Sequence, residues 1–200
     1  SYNCLVDPPV GIINEDASSA INTASPAIID GSITNGQAIF SDNVWIRGKI
    51  VNASEITFAP NKYAILDSDI QGTSITANQA ILIINNEHLA IDGNVTAQDL
   101  NLDLATNQLT YSGGGIAHLT GDPHIRTIYD STRLAGGTIN IMTGGQFDFS
   151  NINQLVIDLV VKPDASQIPA GTSYPLILSN NSSGNNLKLD ATKVTVNTYG

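Results

Sequence analysis

Charge is what this chain has least of: 13% of its 200 residues are Asp, Glu, Lys or Arg, about half the roughly 25% of an ordinary globular protein. Long helices normally carry Glu, Lys and Arg on their wet face, so a helical architecture is disfavoured from the start. Basic residues are the scarcer sign, eight Lys and Arg against eighteen Asp and Glu, for a formal net charge of −10. A phosphate backbone or an anionic lipid surface would be repelled, which removes nucleic acid as a partner. The longest apolar run, Ala80–Ile84, has five residues and is far short of the roughly 20 needed to span a bilayer, so no membrane insertion by this segment is expected. A lone cysteine, Cys4, excludes an internal disulfide framework.

What remains is an uncharged polar chain with a sizeable apolar share, 42%, enough for a packed core and against wholesale disorder. Asn, Thr, Ser, Gln and Gly alternate with Ile, Val and Leu, the texture of many short strands. Turn signals recur at Asn35-Gly36, Ser41-Asp42-Asn43, Ala59-Pro60-Asn61, Gly72, Asn85-Asn86, Thr106-Asn107 and Ser112–Gly115. Sandwiches, barrels and solenoids share that cadence.

One phrase returns. Ala27-Ile28-Ile29-Asp30-Gly31-Ser32-Ile33-Thr34 is matched by Ala64–Gln71 and, slightly shifted, by Leu89–Thr96. The period lies in the range of repeat architectures, with Asp-Gly or Asp-Ser as a corner between two strands. Scarce charge suits stacked coils, because like charges placed over one another repel. The expected fold is therefore all-β, a parallel β-solenoid, with a β-sandwich as the alternative. Strands are expected at Ala38–Phe40, Val44–Val51, Glu55–Ala59, Ser74–Ala77, Gln79–Asn85, Asp99–Leu104, Gln108–Tyr111, Thr138–Met142 and Leu155–Val161, the last buried on both faces for part of its length. Residues 1–26 read as an irregular lead-in or cap, 27–135 as a repetitive strand region and 136–200 as a further β region.

Within 136–200, Gly137–Leu159 (GTINIMTGGQFDFSNINQLVIDL) and Ile168–Ile177 (IPAGTSYPLI) carry a resemblance. This stretch resembles the passenger domains of bacterial autotransporter surface proteins. The resemblance implies a right-handed parallel β-helix displayed outside the cell, commonly in adhesion, and carries no binding residue with it. A shorter stretch, Gly121–Thr127 (GDPHIRT), resembles the opening strand of von Willebrand factor type D domains, some of which are cleaved within this motif.

Candidate chemistry is sparse. The Asp122–Pro123 bond is a candidate acid-labile site, since the Asp carboxyl can attack its own carbonyl while the tertiary amide leaves, with His124 placed to relay a proton. The competing reading is a turn before a strand. His88, His118 and His124 have no metal-ligand spacing. Calcium is the one cofactor with candidate ligands, Asp67-Ser68-Asp69 and Asp99 with Asp103, but no calcium-binding loop motif accompanies them. No nucleophile elbow, phosphate loop or HExxH occurs, and the basic residues are scattered, so no enzymatic activity is expected. Trp45, Tyr63 and Tyr111 are candidate aromatics for stacking on a ligand, against the alternative that they fill the core. The expected role is a non-catalytic structural or adhesive module, extracellular or on a bacterial surface, whose partner is a host-cell protein or glycan. Alternatives are a self-assembling subunit that binds its own copies and a type D-like module processed at Asp122–Pro123.

Overall fold

The computed structural model describes residues 3–5, 26–130, 135–162, 178–180, 187, 188 and 190–199. Strand β1 (Asn3–Leu5) precedes a chain that winds in successive three-strand coils. The first coil is β2 (Ala27–Ile29), β3 (Ile33–Thr34) and β4 (Gln37–Phe40); the second is β5 (Val44–Ile46), β6 (Ile50–Val51) and β7 (Glu55–Phe58). The third is β8 (Tyr63–Leu66), β9 (Ile70–Gln71) and β10 (Ser74–Thr76); the fourth is β11 (Ile81–Ile84), β12 (His88–Asp92) and β13 (Val95–Gln98). The fifth is β14 (Asn101–Ala105), β15 (Gln108–Ser112) and β16 (Ile116–Gly121). In the sixth, β17 (His124–Asp130) is followed by β18 (Ala135–Gly136), which folds back antiparallel on it, then β19 (Thr138–Ile141) and β20 (Gln146–Ile152). The seventh is β21 (Leu155–Lys162), β22 (Leu178–Asn180) and β23 (Leu187–Lys188), and β24 (Val194–Tyr199) follows.

Each strand pairs with its counterparts one coil away, which builds three sheets. Sheet 1 runs β2-β5-β8-β11-β14-β17-β21-β24, sheet 2 runs from β3 to β22, and sheet 3 runs from β4 to β23. Apart from β1, which adds antiparallel to β4, and β18, the pairing is parallel. This is a parallel β-solenoid, and the parallel order rules out the β-sandwich alternative.

Alternation explains why these sequences form strands. Ala27, Val44, Ala64, Leu82, Leu102, Ile125 and Ile157 stack in register on the inner side of sheet 1, and all are buried. Phe40 stacks on Phe58 in sheet 3 with ring centroids 5.5 Å apart, while Phe147 meets Tyr111 edge-on at 5.0 Å. One apolar cluster extends from Ile29 to Ile157. The two buried polar side chains among the described residues, Thr73 and Thr127, both have hydrogen-bond partners. Leu155–Val161 is buried on one side only; Val156 and Val160 stay partly exposed on the outer side.

The repeat is shorter than the recurring phrase implied. Register in sheet 1 links Ile28, Trp45, Ile65, Ile83, Asp103, Arg126, Asp158 and Asn197, so steps of 17, 20, 18 and 20 residues widen to 23, 32 and 39. Asp30-Gly31 and Asp67-Ser68 occupy the same corner two coils apart, whereas Asp92-Gly93 sits at the next corner, after sheet 2. The intervening copy is Val44–Val51, which is two strands and not one. Its corner, Arg47-Gly48-Lys49, sets Gly between two basic residues in place of the Asp-Gly or Asp-Ser pair, and Gly48 lies against Gly31 of the coil before.

The turn signals named above all fall at corners. The corner after sheet 2 holds Asn35, Asn52, Gly72, Gly93, Gly113 and Gly144 with φ between 53° and 113°. The corner after sheet 3 holds Asn61, Gln79, Asp99 and Gly121 with φ between 51° and 71°. Such left-handed geometry is inexpensive for Gly and tolerable for Asn and Asp.

A Cβ at Gly48 would lie 1.9 Å from the Gly31 carbonyl oxygen, whereas one at Gly114 (φ 76°) would meet nothing closer than 3.8 Å. Gly48→Ala should therefore cost about 2–4 kcal/mol by prising two coils apart. Gly114→Ala should cost only about 1 kcal/mol of backbone strain. Urea denaturation midpoints at unchanged m-value measure both, and equal losses would contradict the close-packed corner.

Candidate functional site

The outer side of sheet 1 carries two parallel columns of side chains. One is the register line Ile28, Trp45, Ile65, Ile83, Asp103, Arg126, Asp158 and Asn197. Beside it stand Tyr63, Ile81, Asn101, His124, Val156 and Thr195. Alternation puts every one of them outside, because the residues between them are the core positions. The strip is apolar and aromatic over its first coils and polar over its last.

Trp45 is held in place. Its indole Nε1 donates to Asp67 Oδ2 at 2.7 Å, and the Arg47 guanidinium lies 5.5 Å from the ring centroid while pairing with Asp30 at 3.0 Å. Tyr63 shares this face, its backbone N–H donating to Asn43 Oδ1. Burial, with the nearby Asp42 charge, raises the Tyr63 phenol above its ordinary value. Asp42 accepts from Lys62 Nζ at 2.9 Å and from the Asn43 N–H, which together hold its carboxyl below the ordinary 3.8.

The third candidate aromatic is elsewhere. Tyr111 is 1% exposed, inside the coil against Phe147, and its hydroxyl donates to the Gly93 carbonyl; burial pushes its phenol far upward. It belongs to the core and not to a ligand platform, because its place in β15 falls on the inward phase.

Farther along the strip, Asn101, Asp103, His124, Arg126 and Asp158 surround a depression of about 270 Å³, with Ile81 at its rim. Arg126 Nη1 donates to both oxygens of Asp103, at 2.8 and 3.0 Å. His124 Nδ1 lies 3.7 Å from Asp158 Oδ2, and Asn197 Nδ2 donates to Asp158 Oδ1 at 2.9 Å. Donors and acceptors thus alternate up the stack. Sequence reasoning did not find this cluster, since its members lie 23, 32 and 39 residues apart and align only once the inward residues of successive coils are matched.

The candidate calcium ligands do not converge. Asp67 serves Trp45 and Asn85, Asp69 accepts from the Ala90 N–H, and Asp99 accepts from the Asp122 N–H. Each ties one coil to the next. Among the described residues, no three His, Cys, Asp or Glu side chains group as metal ligands.

Asp122, Pro123 and His124 form the corner into β17. Asp122 is exposed and Pro123 is buried, with the Pro123 carbonyl accepting from Val156 N–H at 3.0 Å. Gly121 has φ 71°, the left-handed turn this corner repeats. The imidazole of His124 faces Asp158 in the next coil.

The chain is similar to "Outer membrane protein A" of Rickettsia conorii, 28% identical over 130 residues. That is 64% of this chain and 6% of the relative, so the chain matches only a small part of that protein. An outer-membrane relative agrees with the expected place at a bacterial cell surface. No family model matches, and nothing supports the type D resemblance of Gly121–Thr127. No solved structure matches.

Two outcomes follow from this geometry. Because its folded carboxyl is held low, Asp42 adds stability above its ordinary pKa that is lost as pH falls through the lower folded value. Its NMR titration midpoint should lie below 3.8, and Lys62→Met should bring it up; an unmoved midpoint would mean that Lys62 is not the cause. Secondly, the hydrogen bonds flanking Asp122–Pro123 should slow acid scission in the folded chain. At one acidic pH, fragments 1–122 and 123–200 should accumulate faster in denaturant, and mass spectrometry showing equal rates would rule out protection by the fold.

Proposed function

We propose that this chain is a stretch of the surface-exposed region of a bacterial outer-membrane protein, acting as a non-catalytic adhesive module. The observation that carries the reading is the similarity to the rickettsial outer membrane protein along 64% of the chain. The autotransporter-like phrases at Gly137–Leu159 and the solenoid geometry support it. A solenoid exposes an area that grows with every coil, and short neutral side chains keep that surface wet without strong electrostatic preference. Its outer strip, with Trp45 and Tyr63 on one side of sheet 1, supplies a contact face that costs little entropy to immobilise.

A second reading is a building block that stacks on its own copies, because the parallel ladder that joins one coil to the next is a pairing that one copy can also offer to another.

Labelled monomer should bind host cells saturably, and Trp45→Ala should weaken binding about tenfold if the indole is a contact anchor. Size-exclusion chromatography of the same sample separates the two readings. Growth into oligomers without saturable cell binding would make self-assembly the function.

A further inference from the structure

We propose that the outer face of sheet 1, from β5 to β21, binds a neutral, linear, β-linked oligosaccharide laid along the solenoid axis. This rests on the adhesive reading and gives it a site and a ligand class.

Four observations converge on that chemistry. The depression holds a mixed set of groups, the carboxylates of Asp103 and Asp158, the guanidinium of Arg126, the imidazole of His124 and the amide of Asn101. A sugar presents hydroxyls that both donate and accept, and such a set meets both needs. Next, the strip turns apolar beyond the depression, through Ile81 and Ile83 to Ile65 and Trp45. Pyranose rings have C–H faces that pack on such side chains while their hydroxyls reach outward.

The third observation is spacing. Neighbouring strands lie about 4.8 Å apart, close to the advance of one ring along an extended β-linked glycan. Each coil thus offers one row of side chains per sugar. The register Ile83, Asp103, Arg126, Asp158 keeps those rows aligned.

Charge and backbone exclude the competitors. Two carboxylates face one guanidinium on a chain of net charge −10, so sulfated and sialylated glycans are repelled. An extended peptide recognises a sheet by its free edge, and this face has none, because the backbone groups of β14 and β17 are used between coils. A peptide lying here would leave its own amides unpaired; a glycan has none in its chain.

The test is isothermal titration of the intact chain with cellohexaose and chitohexaose, and with sialylated and sulfated oligosaccharides, alongside NMR mapping of the perturbed residues. At least one neutral glycan should bind saturably, with shifts confined to the outer side of β5, β8, β11, β14, β17 and β21. Asp158→Asn and Arg126→Ala should each weaken it about tenfold, with thermal melts confirming the fold. Glu55→Gln on the outer side of sheet 3 should leave binding unchanged. No neutral glycan bound, shifts on another face, tighter binding of the anionic glycans, or full affinity in both variants would overturn the proposal. Cell binding that persists without any glycan binding would overturn the ligand class alone; loss of both would remove the adhesive reading as well.

Discussion

Everything in this molecule depends on the parallel hydrogen-bond ladder between successive coils. Once a coil is laid over the one before, each residue inherits the environment of its predecessor, inward or outward, strand or corner. Buried apolar columns then add up along the axis, as from Ala27 to Ile157. The same rule makes charge expensive, since a carboxylate repeated at every coil would stack on its own kind. The chain meets it with few charges and with unlike neighbours: Asp103 under Arg126, Arg126 under Asp158. Low charge content is therefore a structural requirement here before it is a functional property.

Corners are the second requirement. A strand must turn through a tight bend and land in phase; two of the three corners do this repeatedly with a left-handed residue, and the corner after sheet 1 does so at Ala105. Close approach between coils then restricts side chains still further. At Gly93 an added Cβ would fall 2.3 Å from the Thr73 carbonyl oxygen. Aspartates at and near corners act as acceptors for the neighbouring coil, as Asp99 does for Asp122 and Asp69 for Ala90. That role accounts for acids which, read singly, look like metal ligands.

Much of this architecture was legible in the sequence, because composition and alternation report local environment. The turn signals fell at corners for the same reason: Asn and Gly carry the backbone geometry in their own chemistry. The period was not legible. The Asp-Gly phrase at Asp92 belongs to a different corner from that at Asp30, and the true intermediate copy hides behind Arg47 and Lys49. Tyr111 illustrates the limit for side chains, since a one-residue change of phase decides between core and surface. The polar cluster of Asp103, Arg126 and Asp158 was invisible for a different reason. Its members are brought together only by coil lengths that grow along the chain, and no local pattern encodes that growth.

Coil length also has a mechanical meaning. Tension applied along the axis of a solenoid does not shear all ladders at once. It loads them in series, so the end coil peels first and its neighbours stay shut. A coil of 20 residues, as between Trp45 and Ile65, releases about 70 Å of extended chain when it opens. The last coils, at 32 and 39 residues, would pay out proportionately more. A tether built in this way lengthens in uneven increments, longest where the coils are widest, and absorbs a pull without giving up the rest of its fold.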